Sequence, residues 1–558
     1  MYLNLYIYLK IYSYDMCKPR AVILSGSTSI RAIAQLYEEY EGLVSEGELY
    51  VIRCSNGERI LCRVERIIPY NEFFEKGDAW SEARRKRSPI PVDVSRRYVV
   101  AELELLGAIV KGSLSDVARP PEPGDEVYPV DPDELEEICG LTGEEGRIIR
   151  FGSLYGYENM PLPLDIQGIP MHIAILGVTG SGKSYTMGYL IELLSKIRVK
   201  GEEKAIPMIV VDANGDYLDF FYEYKKGSFR RYKRVYRFVF KNSPALLEPG
   251  FKATAISMDL SPFSPREVAE LIVVYYSGGE LNERQAYGIE MILRNLKEEG
   301  YEISELFIND DLFKRTLISE LRKAVEKKEI HSQTGNAIER ALRKFKDDMD
   351  KYSLIRYKNQ VTLGEKFIDE LTKPGSASLA LIDFSTEGAP GVSLQMKQLI
   401  ISYLTKLLYN KFTDYKVQGE ERVLLLAIEE VQNYCPNLTT YPIGYSLARN
   451  NIVNIATQGR KFGLSLCLIS QRPTFIDPIA LSMVNTFIIH RISAGDLHFV
   501  KRAAGSLPQS IEQRLVNLRT GYAVVMGQMN RLRFPVIVSV PKREIEPRVG
   551  KIDVLSCL

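Results

Sequence analysis

The sequence is poor in the residues that most often announce a site by themselves. It holds one tryptophan and four histidines (172, 331, 490 and 498), and the histidines have no metal-ligand spacing. Its seven cysteines are an odd number without a CxxC pair, so neither a disulfide framework nor a zinc site is legible. A reducing compartment is the default for such a chain. No apolar run approaches the ~20 residues that span a bilayer; residues 271–276 are among the longest. The N-terminal stretch carries Lys10 inside its apolar run and has no charged start, which makes it a poor signal peptide. Excess charge is absent too: 72 Lys and Arg against 71 Asp and Glu leave +1. A uniformly basic coat is thereby excluded, and any nucleic-acid contact must come from a local patch. The chain reads as soluble and cytoplasmic.

What is present is a chain of 558 residues with ordinary globular composition, long enough for two or three domains. Residues 1–19 are a tail that fits a mobile segment, an added edge strand or an upstream start. Residues 20–145 read as short strands, with a helical pattern only near 31–40. Two of these strands, 48–54 and 59–65, flank Asn56-Gly57, a strong hairpin signal because both residues tolerate positive φ. A small antiparallel barrel or sandwich fits this stretch. From 146 to 530 apolar strands alternate with amphipathic helices, the signature of a parallel sheet. Candidate buried strands are 172–176, 207–212, 235–240, 379–384, 423–428, 464–470, 485–489 and 522–526. Between about 261 and 370 the helical period dominates, with Ile289, Ile292, Leu293 and Leu296 on one face and Ile338, Leu342, Phe345 and Met349 on another. That stretch reads as a helical insertion, and residues 531–558 as a final strand followed by polar chain.

The strand at 172–176 runs into Gly177-Val-Thr-Gly-Ser-Gly-Lys183-Ser184 and then a helical pattern, the P-loop spacing in its strand–loop–helix context. Gly177, Gly180 and Gly182 let backbone N–H groups close around phosphate oxygens. Lys183 reaches the β and γ phosphates of ATP, and the Ser184 hydroxyl binds Mg²⁺. Thr179, Ser181 and Tyr185 join them as nucleotide-binding positions. A second apolar strand ends in Glu429-Glu430, which assigns Glu429 to the metal and Glu430 to the attacking water. A third ends in Ser470-Gln471, where an amide can sense the γ-phosphate. Another acid at a strand end, Asp212, is followed by Asp216; both suit either a place around the metal and water or a simple turn. Gly459-Arg460-Lys461-Phe462-Gly463 offers a cation pair for a neighbouring subunit's site.

The ordered set 172–184, 211–217, 428–434, 459–463 and 470–473 resembles the HerA family of archaeal and bacterial ATPases, related to the FtsK-type DNA pumps. The resemblance implies an α/β fold with a RecA-like P-loop ATPase core and helical insertion, preceded by a small N-terminal β-barrel. It further implies a homohexamer around double-stranded DNA, coupled to a NurA-type nuclease in DNA-end resection and double-strand break repair. In that frame Lys183, Glu430, Arg460 and Gln471 are catalytic, with Arg460 acting in trans. Ser184, Glu429 and Asp212 belong to the metal, Lys461 to the nucleotide, and the C-terminal segment braces the adjacent subunit. Two departures stand out: Asp212-Ala-Asn-Gly-Asp216-Tyr217 where the family has Asp-Pro-His-Gly-Glu-Tyr, and Val431-Gln432 in place of Ala-His. The alternative reading is a nucleotide-gated ring or clamp that recruits a nuclease or defence effector with little translocation.

Two cation clusters remain. Residues 225–241 hold eight cations interleaved with aromatics and read first as a solvated loop entering a strand, with phosphate neutralisation and base stacking as the alternative. Residues 84–87 read as a mobile loop.

Overall fold

The computed structural model describes residues 18–547 except 112, 139–145, 158–159, 279, 358–359, 442–445 and 506. The tail expectation for residues 1–17 and the polar end from 548 onward lie outside the described residues.

Six strands close a barrel near the N-terminus. In order around it they are Arg31–Leu36, Ala21–Ile23, Glu126–Pro129, Leu49–Arg53, Arg59–Asn71 and Arg97–Val110, which returns to Arg31–Leu36. The hairpin turns at Gly57 (φ 83°) with Arg53 opposite Arg59, as its Asn-Gly pair requires. Residues 31–36, expected to be helical, form a strand instead. Ala32, Ala34 and Leu36 alternate with partly or fully exposed neighbours, so the period is two, and the buried set faces the barrel core. Arg63 Nη1 donates to the carbonyl of Pro535, and Tyr157 Oη to that of Leu49, tying the barrel to the larger unit.

That larger unit is built on one eleven-stranded sheet. Its order is Thr254–Ala255, Val235–Val239, Leu379–Asp383, Met208–Asp212, Leu424–Ile428, Leu464–Ser470, Ile173–Leu176, Thr486–Ile489, Tyr522–Gly527, Val536–Ser539 and Ser153–Leu154. The first eight run parallel and the last three pair antiparallel. The central parallel strands are mostly apolar because both faces are covered. Met187, Leu190 and Ile191 of the helix Lys183–Leu194 pack on one face, while Leu399, Ile400 and Leu404 of the helix Leu394–Val417 pack on the other. Between Pro265 and Leu371 the chain is almost wholly helical. The two expected faces, 289/292/293/296 and 338/342/345/349, are buried in one core with the sheet. Among the described residues no helix is long and apolar enough to cross a membrane.

Candidate active site

In a parallel sheet every strand delivers its C-terminal residue to the same edge, where ligands of open α/β folds bind. Five segments meet there: Gly177–Ser184, 212–217, 429–432, 470–471 and 490–491.

The P-loop is shaped by three glycines with positive φ: Gly177 (155°), Gly180 (73°) and Gly182 (114°). At Gly177 a Cβ would lie 2.7 Å from His490 Cβ and 2.6 Å from Ser181 Oγ, so only glycine fits. The helix Lys183–Leu194 starts directly after Gly182 and aims its first N–H groups into the loop. Lys183 is buried. Its ammonium donates to the carbonyl of Val178 at 3.1 Å and, among the described residues, has no carboxylate in ion-pair range. Burial lowers its pKa, against the opposing pull of Glu430, Glu429 and Asp216.

Ser184 Oγ donates to Glu429 Oε1 at 3.0 Å, which joins the P-loop to the acid strand. Tyr217 Oη donates to the same oxygen at 2.7 Å, and the Ala213 N–H to Oε2 at 3.3 Å. Burial, then the neighbouring Asp216, pushes the Glu429 carboxyl up to about 7. Asp212 sits differently: its two oxygens accept the backbone N–H groups of Asn214, Gly215, Asp216 and Tyr217 at 2.7–3.3 Å. It is fully buried and shapes the turn that presents Asp216 and Tyr217.

Glu430 occupies the left-handed region (φ 47°, ψ 45°), a strained backbone for a residue with a Cβ. One of its oxygens accepts from Gln471 Nε2 and the other from Gln432 Nε2, both at 2.5 Å. Gln471 in turn accepts from Thr179 Oγ1 at 2.5 Å, and Gln432 from Ser470 Oγ at 2.8 Å. A continuous chain therefore runs from the P-loop hydroxyl of Thr179 through Gln471 to Glu430.

Sequence reasoning missed three members of this edge. Tyr217 and Gln432 lie within the motifs 211–217 and 428–434, where a polar residue beside a strand-end acid is a usable signal. His490 follows an apolar strand, as Glu429 does, a signal that metal-ligand spacing does not carry. Its Nε2 lies 2.9 Å from Thr186 Oγ1 and its Nδ1 2.9 Å from the carbonyl of Tyr522. Burial pushes its pKa down to about 4, so the ring is neutral, with Nδ1–H donating and Nε2 accepting.

Other predicted residues are placed elsewhere. Tyr185 turns away from the loop, and its hydroxyl accepts the Arg543 N–H at 2.7 Å. Arg543 belongs to a C-terminal strap laid along the P-loop helix, where buried Glu192 accepts from Arg543 Nε and from the N–H groups of Glu544 and Ile545. Arg460 and Lys461 are exposed on the turn Gly459–Phe462, before the strand Leu464–Ser470 rather than after it. At ~3.3 Å per residue that strand sets them about 20 Å from this chain's own Gln471.

Among the described residues no three His, Cys, Asp or Glu side chains form a ready metal cage. The donors on hand, the Ser184 hydroxyl and the Glu429 carboxylate, suit Mg²⁺, which keeps waters and phosphate oxygens as its remaining ligands.

Comparisons with known proteins agree with this geometry. A family described as "Helicase HerA, central domain" matches residues 149–408. The chain is 25% identical over 410 residues to the DNA double-strand break repair helicase HerA of Saccharolobus solfataricus, covering 73% of this chain and 71% of that protein. It is 24% identical over 560 residues to the Pyrococcus furiosus protein of the same name, covering 91% and 90%. Among solved structures, VirB4 of Thermoanaerobacter pseudethanolicus overlaps 72% of this chain and 98% of its own, at 14% identity and a TM-score of 0.48. The P-loop, the paired acids and Gln471 share one sheet edge, residues 149–408 match the HerA central domain, and the chain is similar to HerA helicases over most of its length.

Proposed function

We propose that the chain is an ATP-driven DNA translocase or helicase that works as a homohexameric ring on double-stranded DNA, together with a NurA-type nuclease in DNA-end resection. The observation that carries this reading is the linkage of Thr179, Gln471 and Glu430 beside the Ser184–Glu429 contact. It gives the P-loop a direct line to the carboxylate that faces the attacking water.

In this reading the backbone N–H groups of residues 177–184 and the Lys183 ammonium hold the β and γ phosphates. Ser184 and Glu429 hold Mg²⁺, which neutralises phosphate charge when bound. Glu430 takes the proton of the attacking water, and its strained backbone and two amide partners fix where the carboxylate points. Gln471 reports the state of the phosphates to Glu430. Asp212 acts through the turn it shapes. Arg460 and Lys461 complete the site of the next protomer, because they are too far from their own. Relatives named as double-strand break repair helicases support DNA as the substrate.

DNA-stimulated ATP turnover that disappears in Lys183→Ala and Glu430→Gln is the expected result. Arg460→Ala should lose turnover while nucleotide binding and ring size by native mass measurement stay intact. Robust turnover by a strictly monomeric species would defeat the trans assignment. Displacement of a roadblock or triplex from duplex DNA tests movement; intact turnover without displacement would favour a nucleotide-gated clamp instead.

A further inference from the structure

Seven of the eight cations of residues 225–241, all but Lys233, divide into two groups. Lys226 pairs with Glu223, Arg231 with Glu544, Arg234 with Glu370, and Arg237 with Asp383 in the core; Arg230 lies over the Tyr224 ring. These are spent on the fold. Lys225 and Lys241 are not, and with Lys252 they line an open cleft of ≈ 950 Å³. Among the described residues none of these three lysines has a carboxylate in ion-pair range. Lys225 has only the Phe221 ring, 5.3 Å from its ammonium.

The acids next to the cleft are withdrawn from it. Glu248 follows Leu247 of the cleft wall, and the Glu387 carbonyl accepts from Ser243 of the same wall. Both side chains turn to Arg237, at 3.5 and 3.1 Å. The wall itself is pre-formed. Ser243 Oγ caps the turn Pro244–Leu246, Asn242 Nδ2 donates to the Pro390 carbonyl at 2.8 Å, and the Ala253 N–H donates to Ala245 O at 3.1 Å. The result is a rigid concave surface with three uncompensated positive charges on a protein of net charge +1, a focus of positive potential.

We propose that this cleft is a DNA-backbone contact in which Lys225, Lys241 and Lys252 neutralise two or three phosphates; the inference rests on the reading of DNA as substrate. It lies at the opposite part of the sheet from the P-loop. Six inter-strand steps of ~4.8 Å separate the edge strand Thr254–Ala255 from Ile173–Leu176, about 29 Å. An acidic peptide fits less well. The edge strand is two residues long and offers too short a ladder for strand addition, whereas phosphates need only point charges.

The test is duplex binding by fluorescence anisotropy between 50 and 300 mM salt, comparing wild type with the triple variant Lys225→Gln, Lys241→Gln, Lys252→Gln. The slope of log K against log salt should become shallower by about 2–3, near 0.9 per phosphate lost, with at least a roughly tenfold weaker affinity at low salt. DNA-free ATP turnover and melting temperature should not change, since the three lysines are exposed and stand outside the catalytic edge. An unchanged slope and affinity in the variant overturns the cleft assignment while leaving the function intact. Failure of the wild type to bind duplex overturns both. Loss of poly-glutamate binding with full duplex affinity assigns the cleft to an acidic peptide and overturns the DNA contact.

Discussion

Lys183 and Arg237 are two buried cations on one sheet, and they are treated in opposite ways. Arg237 is fully buried and saturated: Nε and Nη2 donate to Asp383 Oδ2 at 3.0 and 2.8 Å, Nη1 donates to Tyr222 Oη at 2.9 Å, and Glu248 and Glu387 close the ring. Burial opposes its charge, but Asp383 and its neighbours outweigh it and raise the pKa. Lys183 has carboxylates nearby, but among the described residues its ammonium bonds only to a carbonyl, and its pKa falls. A cation that the fold has finished pairing is structural. One held buried without an ion-pair partner is a candidate for a ligand, in the proposed function the phosphates of ATP.

That contrast is most easily broken at Arg237. Arg237→Ala strands Asp383 in a fully buried position, and removal of one partner of a buried pair costs about 3–5 kcal/mol. A large fall in the denaturation midpoint is expected. Pairing it with Asp383→Leu should recover part of the loss, because the stranded charge goes too. Unchanged stability in the single variant would erase the distinction between the two cations.

Lys183→Met is the mirror image. Turnover should drop by about 10²–10³-fold, the scale of removing one preorganised donor, while the melting temperature holds or rises slightly because no ion pair is lost. A stability loss near that of Arg237→Ala would mean that Lys183 is structural as well.

How much of this could be read beforehand depends on how local each signal was. The P-loop is local: glycine spacing, Lys183, Ser184 and an apolar lead-in lie within a dozen residues. Glu429 and Glu430 announced themselves by ending an apolar strand. Barrel or sandwich stayed open because closure depends on Arg31–Leu36 meeting Arg97–Val110, some seventy residues away. The same six residues read as helix in the sequence because a short alternating run with two alanines carries little propensity of its own. Gln432, Tyr217 and His490 acquire meaning only when parallel pairing lays their strand ends side by side. No spacing along the chain encodes that. The eight-cation run is neither a simple solvated loop nor a single phosphate grip: half of it is spent on ion pairs, and Lys225 and Lys241 join Lys252 from outside it.

The comparison extends to neutral groups. His172 and His490 are buried with both ring nitrogens engaged, His172 accepting from the Leu466 N–H at 3.0 Å and facing the Ala456 carbonyl at 2.9 Å. Burial holds both down to about 4. The sign follows from linkage. The unfolded chain takes up protons near pH 6.5 and the folded one only near 4, so this stability is whole above about 6.5 and is lost as pH falls toward 4. Each histidine should contribute roughly 2 kcal/mol less at pH 5 than at pH 7. His172→Asn removes the titratable ring and should flatten the pH dependence of the midpoint by one histidine's share. An identical pH slope in variant and wild type would show that the ring is free to charge.

The finest test separates the two amides on Glu430. Gln471 links the carboxylate to Thr179 and so to the phosphates, whereas Gln432 links it only to Ser470. Both hydrogen-bond to a charged group, a bond worth about 1.5–3 kcal/mol when its partner is left buried. Glu430 is only half-buried, so water replaces part of what either variant removes. Gln432→Ala should therefore lower kcat by no more than about tenfold, or ~1.4 kcal/mol, with KM for ATP unchanged, since its own two side-chain bonds go to Glu430 and Ser470 and neither goes to a P-loop residue. Gln471→Ala should lower kcat further and also weaken the dependence of nucleotide binding on the γ-phosphate, seen as a smaller ratio of ATP to ADP affinity. If the two variants were indistinguishable in that ratio, the Thr179–Gln471 link would carry no information about the nucleotide, and Gln471 would rank with Gln432 as a simple support for the carboxylate.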